Sequence, residues 1–216
     1  MKRKILSLFL CSVILSGTVS GCGTDESTSD TSLSSSTVEE TTEAATVQVA
    51  ETEYKTMKQP EDGWTIETIS KVLYIDGKNV DFPLTLNKLG SNFQPEEDFE
   101  SNKEIGEIES LLKHNGEIVG GITLVVDGSS EPYDIPLTLF AIKPYKITYE
   151  SLLVINGVKI NDSYDELINK MGQPTEEVIN GITKYEYYNC DNYRIGFCIS
   201  HDENTVSTIR IEEKRK

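Results

Sequence analysis

The stretch LVINGVKINDSYDELINKMGQPTEE, Leu153 to Glu177, constrains the fold of this 216-residue chain more than any other. The apolar run Ser151 to Ile155 leading into it reads as a strand. Asn156-Gly157 reads as a tight turn, because glycine accepts the positive φ that a two-residue hairpin demands, and Val158 to Ile160 continues as a short strand. Asp162 or Ser163 then caps a helix, with Asp165 and Glu166 in its first turn, where the helix dipole favours negative charge. Tyr164, Leu167, Ile168 and Met171 fall at i, i+3, i+4 and i+7 and form one apolar stripe. Lys170 lies in the last turn, Gly172 supplies the left-handed residue that ends the helix, and Pro174 prevents continuation. A helix with one apolar stripe has to be covered, so a sheet is expected beneath it.

The sequence that follows supplies one. Thr183 to Asn189, Tyr193 to Ser200 and Val206 to Glu212 read as three strands, joined by turns at Asp191-Asn192 and Asp202-Glu203-Asn204. Within the middle strand Ile195, Phe197 and Ile199 share one face, and Arg194, Gly196 and Cys198 the other. The expected class is α+β, with short helices packed on antiparallel sheet.

An earlier stretch repeats the pattern. LYIDGKNVDFPLTLNKLGSNFQPEE, Leu73 to Glu97, also runs from an apolar strand through Asp-Gly to a second glycine and a Gln-Pro followed by acids. The spacing from turn glycine to second glycine is 13 residues there, Gly77 to Gly90, and 15 from Gly157 to Gly172. A partial third copy is expected at Leu124 to Ile142, where Ile135-Pro136-Leu137-Thr138-Leu139 nearly duplicates Phe82-Pro83-Leu84-Thr85-Leu86. The reading is two related small units, residues 63–143 and 144–216, with the folded head starting near Trp64. In the first unit Lys71 to Ile75 and Val80 to Phe82 read as strands, and Leu84, Leu86 and Leu89 as a short helix ended by Gly90. Residues 91–107 read as a loop or one short helix. Glu109 to His114 and Glu117 to Asp127 form a hairpin around Asn115-Gly116, with Gly120-Gly121 marking a bulge or a close backbone approach.

The chain opens MKRKILSLFLCSVILSGTVSGC: a basic start, an 11-residue apolar run from Ile5 to Leu15, and small residues leading to Val19-Ser20-Gly21-Cys22. This resembles a bacterial lipoprotein signal. The resemblance implies that residues 1–21 are removed and that Cys22 is diacylated, with palmitate-like chains, as the first mature residue. Loss of that segment takes three basic and no acidic residues and moves the formal charge from -16 to -19. So acidic a body repels nucleic acid and anionic lipid alike, so membrane attachment is expected to rest on the acyl chains. Residues 22–62 are rich in Ser, Thr and Glu and read as a lipidated, disordered linker, with Ala44 to Ala50 as a competing short strand. Forty such residues reach about 35 Å from a membrane. The expected location is the outer side of a cell membrane, and the acidic tether resembles those of Gram-positive lipoproteins.

Cys190 and Cys198 remain for an oxidising exterior, where a disulfide is favoured over free thiols. A tight turn at Asp191-Asn192 would hold them beyond the roughly 7 Å that a disulfide spans. A wider loop, with Asn189 to Arg194 folded back, would let them pair. No GxSxG, HExxH, P-loop or DxDxDG pattern occurs, His114 and His201 fall near turns where exposed imidazoles are ordinary, and neither a metal site nor a cofactor is expected. The chain is read as a non-enzyme. Tyr185, Tyr187, Tyr188 and Tyr193 crowd one hairpin, with Tyr185 and Tyr187 on one face and Tyr188 on the other. They are the candidate binding face, since tyrosine offers large, stiff, amphipathic contact area, although antiparallel strands favour tyrosine in any case.

The helix ending Met171-Gly172-Gln173-Pro174, then Tyr185 and Tyr187, Ile195 and Phe197, and Ile209 and Ile211 resemble the small repeat of the SmpA/OmlA and beta-lactamase-inhibitor-protein group. The resemblance spans residues 151–212 and implies a non-catalytic head that grips a partner with a sheet face. One strong helix stands where that group has a helix pair. The expected function is a lipid-anchored extracytoplasmic protein whose head binds an envelope protein or cell-wall component. The alternatives are an inhibitor or regulator of a secreted enzyme, and a small-molecule-binding lipoprotein serving a transporter.

Overall fold

A computed structural model describes residues 53–96, 106–128 and 131–214. The signal segment, Cys22, the linker up to residue 52 and the alternative strand at Ala44 to Ala50 lie outside the described residues. Val49–Lys216 makes one compact unit.

Its helices are α1 (Ile66–Ser70), α2 (Leu86–Leu89) and α3 (Tyr164–Met171). Its strands are β1 (Leu73–Ile75), β2 (Lys78–Asn79), β3 (Phe93–Pro95), β4 (Gly106–His114), β5 (Glu117–Val126), β6 (Leu137–Ile142), β7 (Leu153–Ile155), β8 (Glu176–Asn180), β9 (Thr183–Cys190), β10 (Tyr193–Ile199) and β11 (Val206–Glu213). A small sheet has the order β2-β1-β7, and a large one the order β3-β4-β5-β6-β11-β10-β9-β8, with every pairing antiparallel. The fold is therefore mixed α+β, short helices against two antiparallel sheets.

Local chemistry accounts for these elements. Ser163 caps α3 with a reciprocal capping box to Glu166, and Gly172 ends it at φ 80. Thr65 does the same for α1 through Thr68, while Thr85 and Gly90 (φ 96) bound α2. Asp76-Gly77 and Asn156-Gly157 both take positive φ, as tight hairpin turns require. Leu73, Ile75, Leu153, Ile155, Leu167 and Met171 are buried in one continuous core with Phe140, Ile142, Ile195, Phe197, Ile209 and Ile211 of the large sheet. Among the described residues that sheet's other face is left open, with Leu111 and Val125 standing exposed on it.

Three expectations need correction. The strand expected at Val80 to Phe82 is Lys78–Asn79, because the Asp76-Gly77 turn closes directly onto the pair Ile75 and Lys78, with Tyr74 and Asn79 next. The duplicated pentapeptides do not share a structure: Leu137-Thr138-Leu139 lies in β6, whereas Leu84-Thr85-Leu86 leads into α2. They meet instead, Leu137 N–H donating to Leu84 O at 2.8 Å, so tertiary pairing decides what so short a sequence becomes. Residues 91–107 contribute β3, which pairs with the end of β4 through Phe93 and His114.

The head also starts before Trp64. The backbone of Met57 is held by the buried side chain of Asn156, whose Oδ1 accepts from Met57 N at 2.7 Å while Nδ2 donates to Met57 O at 2.9 Å. Tyr54 packs edge-on against Tyr74, and Gln59 Nε2 donates to Gln173 O. Residues 54–59, assigned to the linker by composition, are a strap laid beside the end of α3.

Candidate functional site

The open face of the large sheet is built by alternation. In β10, Tyr193, Ile195, Phe197 and Ile199 enter the core, leaving Arg194, Gly196 and Cys198 on the opposite face. Register then brings long side chains together across strands: Gly196 lies between Tyr187 of β9 and Arg210 of β11, and Arg194 lies between Asn189 and Glu212. Gly196 leaves the room this needs, since a Cβ there would sit 2.6 Å from the Tyr187 ring and 2.9 Å from Arg210 Cγ.

The result is a ladder of rings and charges. The Tyr185 and Tyr187 rings stack with centroids 5.9 Å apart and planes 18° from parallel. The Arg194 guanidinium sits 4.2 Å above the Tyr187 ring, and that of Arg210 lies 5.6 Å from Tyr185. Glu212, itself buried, is ion-paired to both arginines, and Arg194 also reaches Glu176 at 3.6 Å. Such cation–π contacts hold guanidinium groups flat over the rings without using all their donors.

Beyond β11 the face opens into a groove of about 1140 Å³. Glu109, Thr123, Leu139, Glu212 and Arg194 form one register row across it. At ~4.8 Å per strand, Glu109 and Arg194 stand roughly 19 Å apart. Glu107 and Glu109 line one side; Arg194, Arg210 and Lys214, interleaved with Glu212 and Glu213, line the other. Charged residues make up seven of its twelve lining residues.

The four candidate tyrosines separate. Tyr188 is fully buried, its hydroxyl donating to Gly172 O at 2.9 Å and its ring edge-on to Phe197. Tyr193 is buried against Phe82, ring centroids 5.0 Å apart. Burial raises the ionisation of both above the usual tyrosine range. Tyr187 is on the open face yet only 4% exposed, because the arginines cover it. Tyr185 is half-buried there. The groups presented to solvent are therefore Arg194 and Arg210, with Tyr187 as their support. Strict alternation in Ile209-Arg210-Ile211-Glu212 was the signal for the two partners that the tyrosine-centred reading missed.

The expected disulfide is corrected. Cys190 and Cys198 are both free and buried. The two-residue Asp191-Asn192 turn sets Cys190 opposite Tyr193 and Cys198 opposite Tyr185, five residues further along β10. That spacing is about 17 Å, far beyond bonding reach. Burial pushes the Cys190 thiol up to about 12, from 9.0. In the unfolded chain it ionises near 9, so folding stability is unaffected below that pH and falls as pH rises from about 9 to about 12. Cys190 should accordingly ignore a thiol reagent at pH 8 until the protein unfolds; prompt labelling in the native state would contradict this placement.

His114 also departs from expectation. It is 5% exposed, packed between Phe93, tilted against it at 4.8 Å, and Tyr149, edge-on at 5.6 Å, with Nε2 3.3 Å from Asp76 Oδ1. His201 is exposed. Among the described residues no group of three or more His, Cys, Asp or Glu side chains is placed to hold a metal ion. Among them, too, no helix is long and apolar enough to cross a membrane.

No family model matches the chain, and no curated protein matches it. One solved structure is similar in part: a DUF4309 family protein (YjgB) from Bacillus subtilis subsp. subtilis str. 168, with 14% sequence identity and a TM-score of 0.30. The match covers 44% of this chain and 57% of that one, and likeness at this level carries no argument about fold or function.

Proposed function

We propose that the chain is a membrane-anchored extracytoplasmic lipoprotein whose non-catalytic head binds an envelope protein or cell-wall component through the open face of the large sheet. The observation that carries this reading is the Tyr187–Arg194–Arg210–Glu212 ladder beside a charged groove. Arginine and tyrosine are the residue types that dominate protein interfaces, and here they are pre-ordered on a rigid sheet rather than on loops. The N-terminal Val19-Ser20-Gly21-Cys22 sequence supports the anchor.

The head is further read as two copies of one unit. Each half runs hairpin, short capped helix ended by glycine, then four-stranded meander: β1-β2, α2 and β3 to β6; β7 with Val158, α3 and β8 to β11. The large sheet's order places the last strands of the two halves, β6 and β11, side by side, and β1 pairs with β7, as a two-fold arrangement of repeats would. The resemblance to the SmpA/OmlA and beta-lactamase-inhibitor-protein group implies the same use of an uncovered face.

Two variants test the parts separately. Cys22→Ala should move the protein from the membrane fraction to the soluble one; unchanged fractionation removes the anchor. Arg194→Ala, in a crosslinking pulldown from intact cells, should lose a partner that wild type retains while the protein stays folded. An unchanged set of partners removes the sheet face.

A further inference from the structure

Among the described residues the large sheet ends on one side at β3, three residues closed by Pro95, and on the other at β8. Proline and shortness protect the first edge. β8 has five residues, no proline, no lysine and no register shift against β9. Two of the most exposed large apolar side chains belong to this hairpin: Ile179, 68% exposed, and Ile182, 84%.

The parity of the edge follows from the turn. Asn180 pairs with Thr183 across Gly181-Ile182, and Gly181 has φ 62, as a two-residue hairpin with glycine first requires. The flanking pair of such a turn is hydrogen-bonded, so Asn180, Val178 and Glu176 direct their backbone groups to β9, and Glu177 and Ile179 direct theirs outward. Those two residues can form reciprocal hydrogen-bonded pairs with Ile179 and Glu177 of an identical strand running antiparallel, with Val178 on the two-fold axis.

We propose that β8 is the edge through which two copies of this chain pair, joining their large sheets into one. Charge favours this register. Glu176 would face Asn180 and Glu177 would face Ile179 of the second copy, so no acid opposes an acid. Each strand's acids already have cations behind them: Lys184 lies 2.9 Å from Glu177, and Arg194 lies 3.6 Å from Glu176. Lys184 stands directly behind Ile179 in β9. Two strand spacings, about 10 Å, then separate it from Glu177 of the second copy, within reach of two long side chains. Val178 shares the open face with Tyr185, its partner in β9, so pairing would make the two open faces continuous.

Sedimentation equilibrium on the mature form, residues 22–216 with Cys22 replaced by serine, tests the proposal. The expected result is a concentration-dependent dimer, strengthened by salt that screens the net negative charge. Ile179→Lys, a charge at the edge, should leave monomer at the same concentrations with an unchanged thermal melt. Val178→Cys should give a disulfide-linked dimer under mild oxidation, since facing residues on the axis of such a pair are about 4.5 Å apart at Cα. Asn180→Cys, offset from its counterpart, should not. A monomer throughout, or equal crosslinking from both positions, overturns the proposal.

Discussion

Gly120→Ala is expected to destabilise the head by about 3 kcal/mol or more, as overpacking against an immovable neighbour does. Gly120 pairs with Ile142 in the middle of the large sheet, just past the register shift that leaves Val119 as an extra residue in β5. There the two backbones approach so closely that a Cβ on Gly120 would lie 1.9 Å from Ala141 O and 2.9 Å from Ala141 C. Backbone atoms cannot swing aside as a side chain can, so β5 and β6 must separate where the core residues Ile122, Phe140 and Ile142 meet. Gly121→Ala is the control. Its Cβ would meet nothing nearer than Ser110 O at 3.5 Å, and alanine restricts the unfolded chain, so its effect should be under about 1 kcal/mol and toward stabilisation. Urea unfolding followed by Trp64 reads both, since it is the single tryptophan and is 4% exposed with its indole N–H bonded to Met171 O. Equal midpoints for the two variants would contradict the close approach.

Lys184→Met should cost a similar amount, about 3 kcal/mol, for an electrostatic reason. Glu186 is fully buried on the core face of β9, opposite Phe197. Lys184 Nζ, 2.7 Å from its Oε1, supplies the counter-charge, and the ammonium also lies 4.5 Å over the Tyr164 ring. Hydrogen bonding to Glu186 raises the lysine above its ordinary value, so this contribution is complete below about pH 10.5 and is lost as pH rises through the raised value. Methionine keeps the stem but abandons the carboxylate. Adding Glu186→Leu to Lys184→Met should restore most of the loss, because an apolar pair of similar volume replaces buried charges at little cost. A double variant as unstable as the single would mean that Glu186 matters for something other than its pairing with Lys184.

How much of this was legible depended on whether the determinant was local. α3 was readable because cap, stripe and stop lie within eleven residues, Asp162 to Gly172, and agree. The meander was readable because alternation in Ile195, Phe197 and Ile199 needs no partner to interpret it. Tyr188 and the Tyr185/Tyr187 pair were correctly set on opposite faces, yet sequence could not say that Tyr187 would be covered. That depends on the β9-β10-β11 register, which slides Arg210 across Gly196, and register is a property of paired strands. The strap at residues 54–59 was invisible for the same reason. Its sequence is polar and aperiodic, and what orders it is one buried amide, Asn156, about a hundred residues away in sequence. Tyr193 and His114 look like turn-flanking residues and are buried by Phe82 and Tyr149, each brought in from another element.

The proposed role sets a partner against the open sheet face on the outside of the cell. A photocrosslinking residue placed in intact cells at Val125, 47% exposed on the groove, and separately at Asp165, exposed on α3, tests it most directly. A discrete crosslinked product is expected from Val125, abolished by Arg194→Ala, and none from Asp165. Crosslinks from Asp165 alone, or products from Val125 indifferent to Arg194, would place the working surface elsewhere.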